Sequence, residues 1–115
     1  MANYEDLDVF QRSYQTALRV HRLTKEHEWD DVVRQIRRAT KSVPANIAEG
    51  LSAVNSKPEM RRFLGIAIRS CNEVRLWLDF CHDLEYLGTE ECKALKSDYN
   101  EYGAMLYALW KHYAS

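Results

Sequence analysis

Apolar residues recur every three or four positions along nearly the whole chain, the spacing that places them on one face of an α-helix. Four segments show this pattern, and none alternates apolar and polar residues as a half-buried strand does. The pattern predicts helices over about 7–27, 30–50, 56–87 and 89–112. Because the connections are short, successive helices should be antiparallel. Residues 1–115 are therefore expected to form a single all-α domain, an up-down-up-down four-helix bundle.

Residues with capping chemistry mark several of the predicted helix ends. Asp6 is the expected N-cap of the first helix, Asp30 or Asp31 that of the second, and Ser56 that of the third. Gly88 is expected to end the third helix in the left-handed conformation, which glycine adopts without steric cost.

The second helix has one apolar and one basic side. Its apolar side contains Ile36, Val43 and Ile47. Pro44 interrupts the same block, and because proline lacks an amide hydrogen we expect a bend or break nearby. The basic side is formed by Arg34, Arg37, Arg38 and Lys41.

Positive charge is concentrated in the middle of the chain. Residues 34–75 contain nine bases and three acids, a net charge of +6, although the whole chain has a net charge of −1. Such a surface can contact phosphates in a salt-dependent way. It is also compatible with a solvated face or with ion pairs to a neighbouring subunit. The candidate nucleic-acid contacts are Arg34, Arg37, Arg38, Lys41, Arg61, Arg62 and Arg69.

The third helix has a second apolar stripe. Three large apolar residues, Leu76, Phe80 and Leu87, are predicted to lie nearly opposite the core face. An outward apolar cluster is typical of a surface that another protein covers, so we predict a homo-oligomer interface here. The alternative is that Trp77 or Phe80 folds over the edge of the core. The predicted core face consists of Met60, Phe63, Leu64, Ala67, Cys71, Val74, Leu78 and Cys81.

Polar residues of the second and third helices are predicted to meet between them. Arg37 or Arg38 would neutralise the acids of this group, and buried polar networks of this kind can fix helix register. We therefore assign a structural role to Asn46, Glu49, Ser70 and Glu73.

Motifs for catalysis or metal binding are absent from the sequence. The nearest match to a di-iron motif is Asp79-x-x-His82, a single copy with Asp in place of Glu. We expect no enzymatic activity, no metal or cofactor and no small-molecule substrate, with a metal-dependent or hydrolytic enzyme as the remaining alternative.

The three cysteines are an odd number, which favours buried free thiols. No apolar run reaches the roughly 18 residues of a membrane span, and no signal peptide is recognisable, so we expect a cytoplasmic protein.

Several motifs together resemble a known family, the four-helix bundle proteins encoded in intervening sequences of bacterial 23S ribosomal RNA genes. Arg69 departs from the family pattern, because glycine is common at this position. The resemblance covers nearly the whole chain and rests on Leu7–Gln11, Gln35–Ala39, Ser42-Val43, Asn46–Gly50, Phe63-Leu64, Ala67, Ser70 and Glu73.

This resemblance implies an antiparallel bundle that assembles into a homopentameric ring, with no established enzymatic activity. Related accessory proteins of diversity-generating retroelements bind a reverse transcriptase and nucleic acid. We therefore expect a homo-oligomeric binding or scaffold protein that contacts RNA or a nucleic-acid enzyme such as a reverse transcriptase. The alternative is an assembly module that binds only protein.

Overall fold

The computed structural model describes residues 3–53 and 56–114, and within these residues the regular structure is entirely helical. No helix in this part of the chain combines the length and apolar character that crossing a membrane requires. Short 3-10 turns occur at Tyr4–Asp6 and Lys25–His27. The α-helices are α1 (Asp8–Leu23), α2 (Asp31–Ser52), α3 (Lys57–Asp83) and α4 (Thr89–Ala114).

Neighbouring helices are antiparallel, as their polar contacts show. Arg38 on α2 pairs with Glu73 on α3. The Ser42 hydroxyl lies 2.7 Å from the Ser70 hydroxyl. Ser42 follows Arg38 by one turn of α2, whereas Ser70 precedes Glu73 by about one turn of α3, so the two helices run in opposite directions. The same opposed order joins α3 to α4 and α4 to α1. The chain thus folds as an elongated four-helix bundle of 44 × 21 × 21 Å, which confirms the predicted fold class.

The core runs along the axis of the bundle and receives one face of every helix. The predicted core face of α3 is buried, except that Phe63 is half-buried. On α4 the buried face contains Leu95, Tyr99, Tyr102 and Leu106, whereas the last two turns pack only partly against the core. The helices are therefore held together chiefly by apolar burial.

Two of the three predicted N-caps are confirmed. The Asp30 carboxylate accepts a hydrogen bond from the Val32 amide at 2.7 Å, and the Ser56 hydroxyl accepts one from the Glu59 amide at 3.3 Å. The Asp30 carboxylate also accepts from the Tyr86 hydroxyl at 2.6 Å, which fixes the start of α2 to the turn after α3.

The prediction for Asp6 is wrong. This residue ends the 3-10 turn Tyr4–Asp6, which the Leu7 amide closes by donating to the Tyr4 carbonyl at 3.0 Å. Consequently α1 begins only at Asp8, and the residue at its cap position, Leu7, has no side-chain acceptor. Helix α1 also ends four residues earlier than predicted, at Leu23, because a 3-10 turn follows Thr24.

The third helix ends at Asp83 rather than at Leu87, and Gly88 is not its left-handed residue. Glu85 has that conformation, with φ 64°. The Glu85 amide donates to the carbonyl of His82 at 2.9 Å, and the next amide, of Tyr86, donates to that of Cys81 at 2.8 Å. These two bonds form a Schellman motif, which satisfies the last carbonyls of α3 without glycine.

Pro44 does not break the second helix. Helix α2 is continuous from Asp31 to Ser52, with Pro44 buried inside it. The proline removes one backbone hydrogen bond, but the flanking turns bury Thr40, Val43 and Ile47. Packing on these neighbours offsets the loss of that bond.

Candidate basic and apolar surfaces

Three of the four predicted bases of α2 lie on its solvent side. Arg34, Arg38 and Lys41 are exposed on successive turns. Arg34 contacts Asp31 at 3.7 Å, and Arg38 contacts Glu73 on α3. Because these pairs are partly exposed, they contribute little to stability and can exchange partners at low cost.

Arg37 does not belong to this exposed face, which corrects the prediction. Only 13% of its side chain is exposed. Its guanidinium donates to the His21 carbonyl at 2.7 Å and to the Thr24 hydroxyl at 3.0 Å, and it lies 3.6 Å from the Glu28 carboxylate. The side chain extends towards α1 because the last carbonyls of that helix attract a cation. Arg37 therefore joins α1 to α2.

The bases of α3 also divide into structural and exposed groups. Arg61 donates to the Tyr113 carbonyl at 2.9 Å, so it binds the last turn of α4 and does not belong to the exposed surface. Arg62 is exposed, 3.4 Å from Glu59, and its guanidinium lies 4.6 Å from the centre of the Phe63 ring. Arg69 is exposed on the side of α3 that faces away from the core. The exposed basic surface is therefore Arg34, Arg38, Lys41, Arg62 and Arg69.

The polar group between α2 and α3 differs from the prediction. Its centre is Ser42, whose hydroxyl bonds to that of Ser70 at 2.7 Å and accepts from the Asn46 amide at 3.0 Å. Sequence reasoning did not assign Ser42, although its i, i+4 spacing from Asn46 places the two on one face. Glu49 is exposed and lies outside this group, because the helix turns it towards solvent near the end of α2.

Glu73 belongs to a second polar group. Its carboxylate accepts from the Arg38 guanidinium at 2.5 Å and from the Trp77 indole at 3.0 Å. Of the two bases predicted to neutralise this group, Arg37 and Arg38, it is Arg38 that pairs with Glu73. The contact also fixes the Trp77 ring, which packs 5.3 Å from the Phe80 ring.

The outer face of α3 carries an apolar ridge, which we define as Leu76, Phe80 and Leu84. Their exposed fractions are 51%, 45% and 45%. Leu87 is not part of it, which corrects the prediction: it is only 6% exposed. The helical periodicity that placed Leu87 outside ends at Asp83, and the following turn directs it into the core.

A second apolar surface lies between α1 and α2, and sequence reasoning missed it. It is a depression of about 480 Å³, which we call the groove. The only available signal was the small size of Ala17, Pro44 and Ala45, which leaves space between the two helices. The pKa of His21 is held below its usual value by loss of contact with water and by the nearby charges of Arg37 and Lys41. The groove is lined by Tyr14, Ala17, Leu18, His21, Lys41, Pro44 and Ala45.

The residues considered for metal chemistry have other partners. Asp79 pairs with Lys96 at 2.7 Å. The two ring nitrogens of His82 lie 3.1 Å from the Asp83 carboxylate and 3.1 Å from the Thr89 hydroxyl. Within residues 3–53 and 56–114, no three His, Cys, Asp or Glu residues are grouped closely enough to hold a metal ion.

Comparisons with known proteins agree with this architecture. The model of the family described as 23S rRNA-intervening sequence protein matches residues 5–108. A similar solved structure is that of a protein with unknown function from the S23 ribosomal protein family of Bacteroides thetaiotaomicron VPI-5482, at 1.70 Å resolution. The two sequences are 29% identical, the match covers 90% of this chain and 95% of the other, and the TM-score is 0.83. No curated protein matches the sequence significantly.

Proposed function

Because the chain belongs to the 23S rRNA-intervening sequence protein family, we propose that it is a non-enzymatic binding protein whose copies assemble into a homo-oligomer. The expected number of copies is five, which is what the resemblance to this family implies. Assembly creates a scaffold on which each copy presents the same outer surface, and weak contacts repeated on that surface gain avidity.

The observation that carries the proposal is the α3 ridge. Leu76 and Phe80 lie one turn apart on the side of α3 that faces away from the core, and about half of each side chain is exposed. Covering them in an interface would contribute about 1 kcal/mol each by removing apolar area from water. The bundle leaves about half of each side chain in contact with water, and a second protein surface would cover that half.

The alternative, that aromatic residues fold over the edge of the core, applies to Trp77 but not to Phe80. Trp77 is half-buried and its indole nitrogen is hydrogen-bonded to Glu73. Phe80 packs against Trp77 on one side and remains open to solvent on the other. The ridge is therefore a preorganised surface, since its central ring is already held by a neighbour.

A nucleic-acid contact is the second part of the proposal, and the exposed basic surface supports it. Five bases remain available there after Arg37 and Arg61 are assigned to structural contacts. Copies in a ring would repeat this surface, so that RNA or a nucleic-acid enzyme such as a reverse transcriptase could bind several copies at once. Without such binding, the protein is an assembly module that contacts only protein.

Light scattering after size exclusion tests the assembly. We expect wild-type protein to have about five times the 13.5 kDa mass of one chain. Phe80→Asp should be a monomer with unchanged helicity, because a buried unpaired carboxylate opposes the interface. Tyr107→Asp is the control, since Tyr107 is an exposed aromatic residue towards the C-terminal end of α4, at the opposite end of the bundle from Leu84. A monomeric wild-type protein, or an assembled Phe80→Asp variant, would refute the proposal.

Absorbance at 260 nm in the same experiment reports on nucleic acid. We expect wild-type protein to retain RNA at low salt and to release it at high salt. The combined variant Arg62→Ala and Arg69→Ala, which leaves the groove unchanged, should assemble normally but lose the RNA. If wild-type protein elutes without nucleic acid at low salt, the function reduces to protein-only assembly.

A further inference from the structure

We infer that the groove between α1 and α2 of one copy receives the α3 ridge of a second copy. This inference rests on the proposed function and specifies its interface. Both surfaces are apolar and open to solvent, and their shapes are complementary. The ridge projects large side chains, and the groove is a depression floored by small ones.

The dimensions of the two surfaces match. From Tyr14 to His21 the groove follows about 10 Å of α1, calculated from the helical rise. Leu76 and Phe80 are separated by about 6 Å along α3, so both fit within this length. Tyr14 is 48% exposed and forms one wall of the groove, where it can cover an inserted apolar side chain. Ridges of one helix packing between the side chains of others are the usual mode of helix contact.

The charges at the C-terminal end of the ridge are opposite to those beside the groove. Lys41 lines the groove, is exposed, and has no ion pair within the described residues. Arg34 and Arg38 follow on the same side of α2. Exposed acids, Asp83 and Glu85, stand at the C-terminal end of the ridge. Two ridges packed in parallel would instead bring these acids together, so the charge pattern favours contact between a ridge and a groove over parallel contact between two ridges.

The ridge and the groove lie on different helices, so one copy can use both at the same time. The ridge is on α3, which is a direct neighbour of α2 and α4 but not of α1. Contacts that join different surfaces of identical copies are heterologous, and they generate a ring when the rotation between copies closes. This pairing therefore explains how a single chain with one ridge and one groove forms a closed oligomer.

A complementation experiment tests the pairing. Ala45→Arg fills the groove and leaves the ridge intact, whereas Phe80→Asp disables the ridge and leaves the groove intact. Each variant alone should be a monomer by light scattering. A one-to-one mixture should form a dimer and nothing larger, because only one productive contact remains. Ala104→Arg is the matched control on the exposed side of α4 and should assemble as the wild type does.

The outcomes separate this inference from the proposed function. If Phe80→Asp is monomeric while Ala45→Arg assembles fully, the ridge forms the interface but the groove does not receive it, and the inference is wrong. A mixture that stays monomeric also refutes the inference. A monomeric wild-type protein refutes the inference and the proposed function together.

Charge reversal provides a second test that does not depend on filling the groove. Lys41→Glu should weaken assembly about tenfold, the effect of one strong charge contact at an interface. Adding Asp83→Lys and Glu85→Lys should restore the assembly of the wild type. If the combined variant stays as weak as Lys41→Glu alone, these acids do not face Lys41 and the proposed orientation is wrong.

Discussion

At the scale of single residues, two tyrosines on α4 differ in how their hydroxyl groups are satisfied. The Tyr102 hydroxyl lies 2.7 Å from that of Thr16 on α1. The Tyr99 hydroxyl is buried and has no hydrogen-bond partner within the described residues. Burial raises the pKa of both groups. A buried hydroxyl without a partner costs free energy, whereas a paired one stabilises the fold modestly.

Replacing each tyrosine by phenylalanine should therefore have different effects. Tyr102→Phe should lower the free energy of unfolding by about 1 kcal/mol, because the hydrogen bond between the Tyr102 and Thr16 hydroxyls is lost while Thr16 keeps its bond to the Arg12 carbonyl. Tyr99→Phe should leave it unchanged or raise it, because a desolvated hydroxyl is removed from the core. Urea unfolding followed by circular dichroism measures both variants. A loss in Tyr99→Phe equal to that in Tyr102→Phe would contradict this account.

At the scale of the helices, α2 and α3 approach each other closely at a glycine near the end of α2. A Cβ atom at Gly50 would lie 3.2 Å from the Phe63 Cβ and 3.3 Å from the Met60 carbonyl oxygen. Both atoms are fixed to the backbone of α3, so the helices would have to separate. Gly103 on α4 provides a contrast, since a Cβ there would meet Cys71 at an ordinary 3.9 Å.

Alanine substitution at the two glycines should therefore have opposite effects. Gly103→Ala should raise the free energy of unfolding by about 0.5–1 kcal/mol, the difference in helix propensity. Gly50→Ala should lower it, because the contact with α3 is lost or strained by more than the propensity gain. Urea unfolding of each variant and of the wild type under the same conditions measures both changes in the free energy of unfolding. Equal stabilisation of the two variants would show that α2 and α3 can separate freely.

At the scale of the whole molecule, the bundle encloses its three cysteines. Burial raises the pKa of Cys71 to about 12 and that of Cys81 to about 11, and it also raises that of Cys92. The thiolate is the reactive form of cysteine, so burial suppresses both its formation and its access to reagents. Reaction of these thiols therefore requires the bundle to open.

Thiol labelling at pH 8 should consequently report the opening of the fold. We expect Cys71 and Cys81 to react with a disulfide reagent about a hundredfold more slowly in buffer than in urea. Gly50→Ala should accelerate the labelling in proportion to its lower stability, whereas Gly103→Ala should slow it. Rapid labelling of Cys71 in the folded wild type would mean that α3 and α4 separate locally.

The sequence by itself determined the features that depend on neighbouring positions along the chain. Apolar periodicity predicted four helices and the core face of α3, because the helical repeat decides which side chains share a face. The short connections predicted the antiparallel bundle, and local capping chemistry predicted Asp30 and Ser56 correctly. The exposure of Leu76 and Phe80 followed from the same periodicity.

Tertiary structure alone decided the features that depend on distant parts of the chain. Arg37 belongs to the basic side by periodicity, yet the free carbonyls at the end of α1 attract its guanidinium. Leu87 becomes a core residue because a Schellman turn ends α3 at Asp83. The groove exists only because small residues of α1 and α2 face each other in the folded bundle. A long side chain or a surface between two helices takes its role from atoms that are close only after folding, and the linear pattern of residues does not contain those distances.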